Sequence, residues 1–181
     1  MSAPGGAVEA VVDEGLHFEA LFHRHYNRVA IAIVRVVHDP ARAEEIAVEA
    51  FWRLWKNPRA ARESYVAAWL YRTALRLALD ELRKQTRRIR RESQGDERQP
   101  PPSPEEAHAA EQERERVRLV LASLDARQAE LLLLRSNDLS YAEVARAMDI
   151  NPSSVGTLIS RAQQAFRREY VTRYGEPGNE R

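Results

Sequence analysis

Cysteine is absent from all 181 residues, which excludes disulfides and thiolate metal sites and suits a reducing compartment. No run approaches the roughly 20 consecutive apolar residues of a membrane span. The opening MSAPGGAVEAVVDEG lacks the basic head and apolar core of a signal peptide. These absences lead to the expectation of a cytoplasmic, soluble protein that makes no direct membrane insertion. Alternation of period two is also missing, so strands are not expected. There is no Gly-rich phosphate loop and no activated-nucleophile pattern. His23 and His25 stand two apart and project from different helix faces, and the sequence shows no second metal ligand at chelating spacing from His17, His38 or His108. We therefore expect no catalytic site, no metal and no cofactor. Charge of one sign is not in excess either. Lys and Arg number 28 against 27 Asp and Glu, a net +1 that on its face argues against a nucleic-acid partner.

What is present changes that reading. Hydrophobic residues make up 44% and charged residues 30%, enough apolar material for a modest core. The near-neutral sum hides patterning. RKQTRRIRR, Arg83 to Arg91, is almost solid cation, and SPEEAHAAEQERE after it is mostly acidic. The basic run is either a phosphate-binding surface or a solvated helix end, where cations are also favourable. Between the two lies ESQGDERQPPPSP, whose consecutive prolines lack amide donors and favour extended structure. The chain then reads as all-α, with two small helical domains joined by a flexible linker. Its expected boundaries are a disordered tail over 1–15, a three- or four-helix domain over 16–91, a Pro-rich linker over 92–104, a four-helix domain over 105–172 and a disordered tail over 173–181.

In the first domain, Phe18, Leu21, Phe22, Tyr26, Val29 and Ile33 recur near helical spacing. A second helix starts with Asp39 as N-cap and Pro40 at its first position, and stops at Asn57-Pro58. Ile46, Ala50, Phe51, Leu54 and Trp55 form its inner stripe. Val48, Trp52 and Trp55 form a second apolar feature, the first two off that stripe. It is either a partner surface or packing against the N-terminal helix. A third helix runs from about Ser64 into the basic run, with Trp69, Thr73 and Leu77 inward. Tyr71 lies off that stripe beside Arg72, either to stack on an unpaired base or as a plain surface Tyr.

In the second domain, Ser103 with Glu106, Asp125 with Gln128, and Ser140 with Glu143 have capping-box spacing, and Asn151 caps a helix opening at Pro152. Helices are thus predicted to begin near Pro104, Ala126, Tyr141 and Pro152. The last two, joined by the tight Asp149-Ile150-Asn151 connection, form a helix-turn-helix. Val144, Ala145, Met148, Ile150, Val155, Ile159, Ala162 and Phe166 are its expected core. Ser154, Thr157, Arg161, Gln164 and Arg168 then form an outward polar stripe on the last helix, whose opening turns hold no Lys or Arg before Arg161.

AEEIAVEAFWRLW followed by WLYRTALRLALDELRK resembles the promoter-melting domain of the extracytoplasmic-function sigma factors, members of the sigma-70 family of bacterial RNA polymerase. LASLDARQAELLLLRSNDLSYAEVARAMDINPSSVGTLISRA resembles their helix-turn-helix domain. Order and linker match as well, so the likeness runs over nearly all of Phe18 to Tyr170. It implies an initiation subunit without a catalytic site of its own, partnered by the clamp and flap regions of core RNA polymerase and by promoter DNA. The first domain would grip the clamp and read and open the minus-ten element, and the second would read the minus-thirty-five element in the major groove. Matching positions imply clamp contacts at Glu45, Val48, Glu49 and Trp52. They imply minus-ten contacts at Arg72, Arg76, Arg83 and Lys84, and minus-thirty-five contacts at Gly156, Thr157, Ser160 and Arg161. To these, charge and placement add Arg135, Arg167 and Arg168 as phosphate anchors. Ser153 and Ser154 are small residues that let the backbone approach DNA. The family often pairs with a membrane-associated anti-sigma factor, a further candidate partner.

The chain departs from the family pattern at three places. Val48 stands where a polar clamp residue is usual. Ala74-Leu75-Arg76 replaces the usual Ala-Arg-Asn, exchanging a two-way amide for a pure donor. Gly156, Thr157 and Leu158 occupy the usual cationic positions of the recognition helix. Such a lightly charged helix works if the second domain is a tethered reader at high effective concentration once the first has docked. The alternative, a stand-alone helix-turn-helix regulator with an N-terminal helical interaction domain, needs all its DNA affinity from that same cation-poor helix.

Overall fold

The computed structural model describes residues 6–57, 59–60, 65–92 and 105–176. The expected linker residues 93–104, and with them Ser103, lie outside the described residues. All regular structure among the described residues is α-helical, in the order α1 (Gly6–Val37), α2 (Pro40–Trp55), α3 (Val66–Glu92), α4 (Glu105–Ser123), α5 (Ala126–Ser136), α6 (Tyr141–Met148) and α7 (Pro152–Tyr174).

Local chemistry explains the helix ends. Asp39 accepts from the Arg42 backbone N–H at 3.0 Å and Pro40 sits at the first position of α2, where its missing N–H costs nothing. Asp125 caps α5 by accepting from the N–H groups of Arg127 and Gln128. The Ser140–Glu143 box on α6 is reciprocal: Ser140 N–H donates to the Glu143 carboxylate at 2.8 Å, and Glu143 N–H donates to the Ser140 hydroxyl oxygen at 3.3 Å. The Ser140 hydroxyl, followed by its backbone N–H, holds the Glu143 carboxyl below its ordinary pKa.

Helices α1, α2 and α3 pack pairwise around a core centred on Phe51, which is 2% exposed. Phe22 meets the Phe51 ring at 4.9 Å, Tyr26 at 6.0 Å and Phe18 edge-on at 6.3 Å. In the second half, Val144, Ala145, Met148, Val155, Ile159 and Ala162 are buried as expected, while Ile150 and Phe166 are only half-buried. Helix α4 leans on α7, where Tyr170 donates its hydroxyl proton to Glu113 at 2.6 Å.

Several expectations need correcting. Helix α1 reaches back to Gly6, so most of the supposed tail 1–15 is helical, and α7 carries on through Tyr174. Ala7 to Glu14 contain no proline, and one Gly at the start does not stop a helix. Trp55 is not an inner residue of α2; it is 47% exposed and meets the Phe18 ring in a T-shaped contact, centroids 5.0 Å apart. On α3, Trp69, Thr73 and Leu77 are half-buried. The buried positions are Ala68, Leu70, Tyr71, Ala74, Leu75, Ala78, Leu79 and Leu82. At about 100° per residue these cover about half of the helix circumference, wider than the stripe of a surface helix. The cause is that α3 packs on both sides, against α1 and α2 and against α4, α5 and α6. Tyr71 falls within that arc. It is buried, which raises its phenol pKa, and is not an exposed base-stacking ring.

Candidate functional site

The turn between α6 and α7 is made by Asp149 in the left-handed conformation, φ 52° and ψ 57°. Asp tolerates this region better than most residues. The Ile150 N–H then closes back on the Ala145 carbonyl at 3.0 Å, ending α6 sharply. Asn151 caps α7 by accepting from the backbone N–H and the hydroxyl of Ser153, at 3.0 and 2.8 Å. With Val155, Ile159 and Ala162 inward, Ser153, Ser154, Thr157, Ser160 and Arg161 lie together on one exposed face at the start of α7. Arg167 and Arg168 continue the exposed side toward the C-terminus, Arg167 pairing with Glu176 at 3.3 Å. Arg135, at the end of α5, donates to the Leu139 carbonyl at 3.1 Å and lies 5.7 Å from the centroid of the Tyr141 ring.

Gly156 sits behind this face, against Tyr141. A β-carbon at residue 156 would meet Tyr141 Cε2 at 3.5 Å, an ordinary contact. No packing within the protein requires glycine here. Gly156→Ala is therefore expected to stabilise the fold by about 0.5–1 kcal/mol through helix propensity, read as a higher urea midpoint. If the glycine exists for close approach to DNA, this more stable variant loses duplex affinity.

The arginines assigned to the first DNA surface have a different setting. Arg72, Arg76 and Arg83 share one face of α3, and that face is turned toward the second half of the chain. Arg72 donates to the Ala147 carbonyl at 2.7 Å and to Glu130 at 3.2 Å. Arg76 is more exposed and lies 3.7 Å from the same carboxylate. Arg83 donates to the Leu124 and Ala122 carbonyls at 2.8 and 3.2 Å. Lys84 and residues 87–91 are exposed. Glu130 is the buried charged residue among the described ones, and no sequence motif singled it out beyond a carboxylate standing in the apolar run AELLLL. Arg118 was missed in the same way; it donates to the Val36 and Val37 carbonyls and to Gln85. No buried side-chain nitrogen or oxygen among the described residues lacks a hydrogen-bond partner.

A second surface lies on α2. Val48 is 55% and Trp52 50% exposed, and Trp55 extends the patch. The alternative of packing against α1 therefore fails for Val48 and Trp52. Lys56 places its ammonium 4.6 Å from the Trp52 ring centroid. Glu45 and Glu49 flank the patch, paired within the helix to Arg42 and Arg53. An apolar centre with a charged rim is the anatomy of a protein-binding surface.

Among the described residues there is no helix long and apolar enough to cross a membrane, and no group of three or more His, Cys, Asp or Glu that could hold a metal ion.

Residues 21–88 match the family "Sigma-70 region 2" and residues 114–165 match "Sigma-70, region 4". The chain is 30% identical over 162 residues to the ECF RNA polymerase sigma factor SigK of Mycobacterium sp. (strain JLS), covering 83% of this chain and 79% of that protein. It is also 30% identical over 157 residues to the probable RNA polymerase sigma factor RfaY of Xanthomonas campestris pv. campestris, covering 82% of this chain but only 39% of the relative's length. The fold is similar to that of the sigma factor RpoE of Bartonella quintana, solved in complex with the anti-sigma factor NepR, with a TM-score of 0.51 at 16% identity over 84% of this chain and 95% of that one. With both sigma-70 regions matched in order and SigK covered over most of its length, the chain belongs to the extracytoplasmic-function (ECF) RNA polymerase sigma factors.

Proposed function

We propose that this chain directs core RNA polymerase to specific promoters and assists initiation, without a catalytic site of its own. The observation that carries the reading is that one chain presents both an exposed polar recognition-helix face on α7 and an exposed aromatic patch on α2. The patch, with Val48 and Trp52 at its centre and Glu45 and Glu49 at its rim, is assigned to the polymerase clamp. Residues 16–91 and 105–172 act as the two domains. Arg76 and Lys84, with Arg72 and Arg83 once released, are assigned to minus-ten DNA. On α7, Ser153, Ser154, Gly156, Thr157, Ser160 and Arg161 are assigned to minus-thirty-five DNA, with Arg135, Arg167 and Arg168 on phosphates. The polymerase flap is the partner assigned to the second domain. An anti-sigma factor is a further partner we assign by analogy with the Bartonella protein, and the cytoplasm is the compartment in which these partners meet.

Run-off transcription over a promoter library, with core polymerase and with or without this protein, tests the proposal. New start sites that depend on the protein support it, and an unchanged start-site pattern overturns it. Tight, specific duplex binding by the free chain, without polymerase, would instead indicate the stand-alone regulator. Arg161→Ala is expected to weaken selection of minus-thirty-five sequence by about 1–3 kcal/mol if the guanidinium reads a base edge. Core affinity in a pull-down should be unchanged, since Arg161 is exposed on α7, away from the α2 patch.

A further inference from the structure

The outward face of α2 is polarised along its length. At about 100° per residue, Glu45, Val48, Glu49, Trp52, Trp55 and Lys56 fall within about one third of the circumference, and all six are exposed. From Asp39 to Ala50 the chain carries four carboxylates, Asp39, Glu44, Glu45 and Glu49, against one cation. That cation, Arg42, is held by Glu81 of α3 at 2.8 Å. From Phe51 to Ala60 it carries Arg53, Lys56 and Arg59 and no acid. The helix dipole does not account for the acidic end. Its influence fades beyond the first turn, and the first turn of α2 holds no carboxylate. The arrangement is also symmetric. Glu45 and Lys56, Glu49 and Arg53, and Val48 and Trp55 are each spaced about nearly the same point, between Ala50 and Trp52.

We propose that a second copy of this chain docks on the α2 patch, the two helices pairing antiparallel about a two-fold axis beside Trp52. Such an interface is isologous, so one surface must complement itself. The axis sets the acidic end of one helix against the basic end of the other, Val48 against Trp55, and the two Trp52 rings side by side. Glu45 and Glu49 also pair within their own helix, with Arg42 and Arg53. Exposed pairs of this kind are worth little, so partners exchange across the axis at small cost. A face about 24 Å long and about 10 Å wide is below the about 800 Å² per partner of a standard interface. The dimer is therefore weak, and it covers the patch only when the protein is concentrated. That it competes with polymerase rests on the clamp assignment in the proposed function; the dimer itself does not.

Sedimentation equilibrium of the full-length protein, from about 1 μM to about 1 mM, is expected to show a monomer–dimer equilibrium. Glu45→Lys and Lys56→Glu each place like charges opposite one another across the axis, and each is expected to weaken the dimer about tenfold. Combined in one chain, they restore opposite charges and return the affinity to near wild type. A parallel pairing, with residue 45 against residue 45, gives no such rescue. Circular dichroism checks that each variant folds, and Trp52→Ala, which removes the central contact, is expected to leave a monomer. A wild-type protein that stays monomeric, or a dimer indifferent to Trp52→Ala and to both single charge changes, overturns the proposal. Weakening without rescue in the folded double variant overturns the antiparallel pairing. None of these results depends on polymerase. The mass of the assembled holoenzyme tests competition separately: one copy of this chain supports it, and two copies overturn the shared use of the patch while leaving the dimer standing.

Discussion

Trp52→Ala is expected to abolish stable association with core polymerase while leaving the fold nearly untouched. The indole is half exposed at the centre of the α2 patch, with Val48 beside it and Lys56 over its ring. Buried aromatic anchors at the centre of an interface typically account for about 2–4 kcal/mol each, which is about 30- to 1,000-fold in affinity. The cost to folding is set by the exposed state of the ring. It loses partial packing and a surface cation–π contact of about 0.5–1 kcal/mol. Titration of labelled protein with core polymerase, beside a urea melt, separates the two effects. Wild-type affinity in the variant would reject the clamp assignment of this patch.

The neighbouring residue gives the opposite pattern. Phe51→Ala is expected to destabilise the protein by about 3–5 kcal/mol, because it removes a fully enclosed aromatic ring and leaves a cavity. Phe22, Tyr26 and Phe18 converge on that ring from α1, so collapse of the site would require a shift of the whole helix. Against a total stability of about 5–15 kcal/mol for a typical domain, this is a large fraction. A urea titration followed by circular dichroism should show a much lower midpoint. A loss under 1 kcal/mol would mean that the α1–α2 core is not organised around Phe51. Two adjacent residues are thus expected to separate binding from folding, because a step of about 100° around the helix takes the chain from the buried Phe51 to the exposed Trp52.

The first half of the molecule was partly legible for a local reason. On α2, Ala50, Phe51 and Leu54 repeat at helical spacing, and Asp39-Pro40 marks the start. Trp55 misled because a large apolar side chain at the right spacing is equally suited to the core and to an interface. On α3 the period was right but the phase was not. Two partners compete for that helix, and a one-dimensional pattern read for one inner face misses the second. Tyr71 lies within the wide buried arc that results.

The candidate DNA surfaces divide in the same way. Ser154, Thr157 and Arg161 were legible as a stripe because they belong to one helix whose inward face is plainly apolar. Arg72 and Arg83 were legible as cations but not as engaged ones. Their partners include Glu130 and Leu124, 58 and 41 residues away.

The sequence by itself determined the all-helical character, the N-caps at Asp39, Asp125, Ser140 and Asn151, and the helix-turn-helix. Each depends on residues within about one or two helical turns of one another, where spacing dictates which side chains share a face. Only the tertiary structure decided that the two halves share a core, that Glu130 is buried, and that three arginines cap helices belonging to the opposite half. Such contacts join positions as far apart as Val36 and Arg118, 82 residues. No local periodicity encodes which distant carbonyl a guanidinium will find.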